Sequence, residues 1–154
     1  TPLLPPGAKH LQRRAVETRS FGSSVLKFRK DKICTAWICS DPQVAREYED
    51  SQLCGFTFTD DGYLALFELM RRAYDVESFF CTNPSMPVLF ISGAEDPCMG
   101  NVRHFAKAVR AMRQAGYQDV RGKLYPGMRH EILNEADRKR VYRDIFIYIH
   151  KKEL

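Results

Sequence analysis

Apolar positions fall into different rhythms along this chain, and each rhythm predicts an element. Residues 1–32 show little apolar periodicity and read as irregular or loosely helical. Asp41-Pro42 then offers an N-cap followed by proline at the first helical position, and Val44, Ala45 and Tyr48 share one face, so a short helix is expected. Leu53 to Thr59, with Gly55 and the alternating Phe56 and Phe58, reads as an extended connector. Asp60 and Asp61 open a longer helix in which Tyr63, Leu66, Phe67, Met70, Ala73 and Tyr74 recur at spacings of three and four.

The rhythm changes after Asn83-Pro84-Ser85-Met86-Pro87. Val88-Leu89-Phe90-Ile91 is a short continuous apolar run between Pro87 and Gly93, the signature of a strand buried on both faces. A helix is predicted from Asn101 to Ala115, with Val102, Phe105, Ala106, Val109 and Met112 on one side and Gly116 placed to stop it. Val120 to Tyr125 reads as a second strand ending at Pro126-Gly127. Asn134 is positioned to cap a final helix that presents Val141, Ile145 and Ile149, with Tyr142 and Phe146 beside them. Strand, helix, strand, helix makes a parallel βαβ unit with a right-handed crossover, and the fold class is α/β. Parallel sheets usually have several strands and both faces covered, so this unit is expected to form the edge of something larger. The residues before Pro87 read mainly as helix and loop and do not supply the missing strands.

Composition narrows the class without changing that picture. The 154 residues are 44% hydrophobic and 28% charged, with no apolar run near the roughly 20 residues of a bilayer span. A membrane span, collagen and wholesale disorder are excluded. Thr1 to Gly7 has three prolines, no signal-peptide pattern and no initiator Met, so the chain is expected to begin partway through a longer product. The net charge of +5 is localised: residues 1–32 hold Lys9, Arg13, Arg14, Arg19, Lys27, Arg29, Lys30 and Lys32 against only Glu17 and Asp31. Such an arm can touch nucleic acid or anionic lipid, but a solvated segment is the simpler expectation, and no nucleic-acid partner is expected. Cys34, Cys39, Cys54, Cys81 and Cys98 are odd in number and form no C-x-x-C. They point to neither a disulfide framework nor a metal site, and fit reduced thiols in a cytoplasm.

Reactive groups in open α/β sheets gather on loops at the carboxyl ends of strands. The first strand here runs into Gly93-Ala94-Glu95-Asp96-Pro97 and the second into Pro126-Gly127-Met128-Arg129-His130-Glu131. A carboxylate and an imidazole thus emerge at the same sheet edge, as needed for an acid that orients a histidine base. Each also has a plainer reading, Asp96 as a turn former and His130 as a hydrogen-bonded loop residue. A metalloprotease helix is excluded because Asn134 stands where its second histidine would be. Cys98 lies beside acidic residues, which disfavours it as a nucleophile. No G-x-S-x-G nucleophile turn occurs, and Ser23 and Ser24 in Phe21-Gly22-Ser23-Ser24 read as ordinary loop residues.

The order Pro87-Val88-Leu89-Phe90-Ile91-Ser92-Gly93, Asp96-Pro97, Lys123-Leu124-Tyr125-Pro126-Gly127, Arg129-His130-Glu131 and Leu133-Asn134-Glu135 resembles the C-terminal part of bacterial α/β-hydrolases of the lysophospholipase and monoacylglycerol lipase type. Phe21-Gly22-Ser23, Trp37, Ser40-Asp41, Tyr48, Leu53-Cys54-Gly55-Phe56 and Phe58-Thr59 are similar to the lid of the same family. The resemblance implies a basic irregular arm at 1–19, a helical cap at 20–82 and the C-terminal part of the hydrolase core at 83–154. It implies Asp96 as triad acid and His130 as general base, with the serine and oxyanion hole supplied by an earlier half of the fold. The reaction implied is two-step acyl transfer to water from a lipid-like or small ester, without a cofactor. Tyr63, Phe67 and Met70 of the cap stripe are the expected substrate contacts, although such a stripe can equally pack against the main domain. The rival reading is a non-catalytic, self-associating fragment or protein-interaction module built on an exposed strand edge.

Overall fold

The computed structural model describes residues 25–56 and 58–150. The arm at 1–19 and the Phe21-Gly22-Ser23-Ser24 stretch lie outside the described residues. Helix α1 spans Pro42–Asp50; the Asp41 side chain accepts the Gln43 N–H, and Pro42 takes the first turn. Ala45 is fully buried on the face predicted for it. Helix α2 spans Asp60–Ala73, capped by Thr59 accepting the Gly62 N–H, with Asp60 and Asp61 in the first turn and Arg71 and Arg72 in the last, as the helix dipole favours. The connector before it turns more than it extends: Cys54 N–H bonds to Ser51 O, and Gly55 adopts φ +63, a left-handed conformation glycine takes at no steric cost.

Strands β1 (Val88–Gly93) and β2 (Val120–Tyr125) pair in parallel, with Val88 opposite Val120 and Gly93 opposite Tyr125. Helix α3 (Val102–Gln114) connects them, capped by Asn101, whose side chain accepts from Arg103 N and His104 N; Gly116 at φ +110 ends the segment. Its inward face meets β2 where Gly122 has no side chain: a Cβ there would come within 2.8 Å of Phe105 and 3.1 Å of Val109. Phe105 also meets Phe90 of β1 edge to face. Helix α4 (Arg138–His150) follows β2. Val141 and Ile145 pack on a core of Tyr125, Met128 and Ile132, with Ile91 beside it. Lys123 Nζ, at 2.6 Å, and Tyr125 OH, at 3.1 Å, both donate to Asp144, fastening α4 to the strand.

Three further expectations are corrected. Val88 to Ile91 is half-buried, not buried on both faces, because among the described residues the sheet has only these two strands. Asn134 does not cap the last helix, which begins at Arg138. Its side chain donates to Glu131 instead, and residues 132–137 form turns around the buried Glu135. Ile149, expected on the inner face, is exposed. No helix of the described residues is long and apolar enough to cross a membrane.

Candidate active site

The loops leaving β1 and β2 are stitched together by backbone before any side chain contributes. Ala94 N–H donates to Tyr125 O at 2.9 Å and Glu95 N–H to Met128 O at 3.0 Å, prolonging the strand pairing into the turns. The approach is close enough that a Cβ on Gly93 would fall 2.1 Å from Arg129 O and 2.3 Å from Met128 O. Only glycine allows the backbone just before His130 to lie over the end of β1.

Asp96 and His130 meet there. His130 Nδ1 lies 3.2 Å from both carboxylate oxygens of Asp96. The carboxylate also accepts the Cys98 N–H at 2.8 Å and the Ser92 hydroxyl at 3.2 Å, so its orientation is fixed from three sides. Asp96 is buried, with 8% of its side chain exposed, whereas the His130 ring is 42% exposed. An imidazole anchored by Nδ1 and open to solvent elsewhere leaves Nε2 available for proton transfer. Burial pushes the Asp96 pKa up, but the His130 ring, the Cys98 N–H and the Ser92 hydroxyl outweigh it and hold the pKa below the usual carboxylate value. The Asp96 carboxylate, with the Cys98 sulfur second and against some desolvation, raises the His130 pKa above the ordinary 6.5.

A second chain segment clamps the histidine loop from outside. His130 N–H and Glu131 N–H donate to Trp37 O and Ile38 O, and the Trp37 ring packs against the His130 ring at 5.4 Å. Glu135, 1% exposed, accepts the backbone N–H of Arg129 at 2.7 Å, the Ser40 N–H at 3.1 Å and the Ser40 hydroxyl. Arg129 reaches the other way: Nη1 donates to Ala36 O, Nη2 pairs with Asp31 at 2.7 Å, and the guanidinium stacks over buried Phe28 at 4.0 Å. Residues 27–41, placed by sequence across the basic stretch and the cap, are thereby bonded to the β1 and β2 loops, with Lys27 Nζ also donating to Glu95 O.

The structure thus brings together Asp96 and His130 as expected. It also adds Cys98, whose sulfur, one Asp96 oxygen and one His130 nitrogen all lie within 4.8 Å of one another. Of the three expected substrate contacts, Tyr63 and Phe67 belong to a chain of rings in which Phe58, Tyr63 and Phe67 meet in turn, and Met70 lies further along the same helix. Tyr63 is buried, while Phe67 and Met70 are exposed. Glu135 and the backbone role of Gly93 were not visible as site features. The only signal was their place inside the Arg129 to Glu135 and Ser92-Gly93 stretches.

No curated protein matches the chain. Among solved structures, a highly thermostable carboxyl esterase from Bacillus coagulans, determined in complex with glycerol, is similar with a TM-score of 0.62 and 28% sequence identity over 75% of this chain. The match covers 38% of that esterase chain, so this chain spans well under two thirds of its length. The family described as serine aminopeptidase, S33, matches residues 3–137. With strands, crossover helix and loop order all in agreement, the chain belongs to this α/β-hydrolase family.

Proposed function

We propose that this chain is the C-terminal portion of a serine hydrolase acting on carboxylic esters, with Asp96 as triad acid and His130 as general base. The observation that carries the reading is the buried, triply hydrogen-bonded Asp96 holding Nδ1 of a half-exposed His130 at the carboxyl ends of two parallel strands. In the reaction a serine from the N-terminal part of the same fold attacks the ester carbonyl while His130 Nε2 accepts its proton. His130 returns that proton to the leaving alcohol, and water repeats the cycle on the acyl-enzyme. Asp96 keeps the imidazole in one tautomer and stabilises its protonated form.

A lysophospholipase or monoacylglycerol lipase-like substrate suits the exposed Phe67 and Met70, with Tyr63 beneath them, as a surface for an acyl chain. The division into an arm at 1–19, a cap at 20–82 and a core portion at 83–154 belongs to the same reading, as does a cytoplasmic setting, which the five free cysteines support. Exposed Tyr142, Phe146 and Ile149 on α4, with the half-buried strands, favour a covering partner. In the rival reading that partner is a second copy.

The test combines this chain with the G-x-S-x-G-bearing half and follows hydrolysis of a short-chain nitrophenyl ester. Turnover that disappears with His130→Ala is the expected result. A folded, associated mixture without turnover, or turnover indifferent to His130→Ala, overturns the reading.

A further inference from the structure

Cys98 has no part in ester chemistry as described above, yet its sulfur stands beside the acid and the base. A thiol, an imidazole and a carboxylate are together the donor set of a borderline-soft divalent ion such as Zn2+. We infer that Asp96, Cys98 and His130 form a binding site for a thiol-preferring divalent cation, and that its occupancy takes His130 out of proton transfer.

The geometry is close to what such an ion requires. The three donor atoms lie within 4.8 Å of one another, whereas tetrahedral zinc with bonds of about 2.0 to 2.3 Å places its ligands roughly 3.3 to 3.7 Å apart. His130 Nδ1 and the Asp96 oxygens are already 3.2 Å apart, so the set needs to contract by at most about 1.5 Å. Rotation of the exposed Cys98 side chain, on the turn after Asp96 and beside the His130 ring, would supply that movement. Asp96 need not move, because the Ser92 hydroxyl and Cys98 N–H already orient it, as donors behind a ligating carboxylate do. With the protein supplying three ligands, water completes the fourth position. On binding, bonds form from sulfur, one imidazole nitrogen and one carboxylate oxygen, and the thiol proton and any second imidazole proton pass to solvent.

Sequence spacing hides this site, since Asp96 and Cys98 are separated from His130 by a strand and a helix. Magnesium, which favours all-oxygen octahedra, does not fit it. Only the consequence for proton transfer rests on the hydrolase reading.

Co2+ titrated into the full chain is the direct probe. The expected result is a sulfur-to-cobalt charge-transfer band saturating at one ion per chain, bleached by Zn2+ and untouched by excess Mg2+. The band is expected to vanish in Cys98→Ser and His130→Gln and to persist in Cys34→Ser. Zn2+ should also protect Cys98, but not Cys34, from iodoacetamide, as read by peptide mass spectrometry. Absence of the band in the parent protein, or its survival in Cys98→Ser, overturns the inference. Because these readouts need no ester turnover, their failure leaves the hydrolase reading standing, and the failure of ester turnover leaves the metal site standing.

Discussion

Helix α2 and the loop from Pro126 to Asp137 are opposites in sequence and in consequence. The helix carries the most conspicuous apolar stripe in the chain, yet Tyr63 is its one buried residue, and Phe67, Met70 and Tyr74 face solvent. Its other side is laced by Glu68 to Arg71 and Arg72, in the open. The loop has little regular structure, but it holds buried Met128, Ile132 and Glu135 and is bonded on both sides by backbone and side chains. Periodicity reports how a segment is wound. What fixes a site in space is the satisfaction of buried polar groups, which leaves no rhythm in the sequence.

The largest effect that would break this contrast is at Glu135. Glu135→Ala orphans the Arg129 and Ser40 N–H groups and is expected to destabilise the fold by about 3 to 5 kcal/mol in urea unfolding. Glu135→Gln, able to keep part of the bonding, should lose less. Gly93→Ala comes next. The atoms its Cβ meets are backbone, so the histidine loop must shift, at a cost of about 1 to 3 kcal/mol and with altered His130 chemical shifts.

A smaller effect concerns pH. The raised pKa of His130 contributes stability that is fully present below 6.5 and is lost as pH rises through the folded value. The lowered pKa of Asp96 contributes stability present above 3.8 and lost as pH falls through its folded value. Urea midpoints should therefore decline on both sides, and Asp96→Asn should flatten both slopes. Unchanged slopes in that variant would show that the pair is not coupled. At the small end, Glu68→Gln on α2 should leave the unfolding midpoint unmoved, since both ion pairs are exposed.

The elements of this chain were largely legible in its sequence. Asp41-Pro42, the Val88 to Ile91 run, Asn101 with Gly116, and Val120 to Tyr125 each carry a local signal, and each element formed where that signal placed it. Asn134 misleads because its side-chain amide donates to Glu131 while the chain turns around Glu135, and the helix starts only at Arg138. The Asp96 and His130 juxtaposition followed from two parallel strands ending together. The Cys98 contact and the clamp of residues 27–41 depend on where separate loops meet in space, which no local pattern encodes.

Titration of the His130 ring by NMR reads the coupling of Asp96 to His130 in this chain without any nucleophile. A pKa above 6.5 is expected in the parent protein, with a clear downward shift in Asp96→Asn. The same ordinary pKa in both proteins would contradict that coupling.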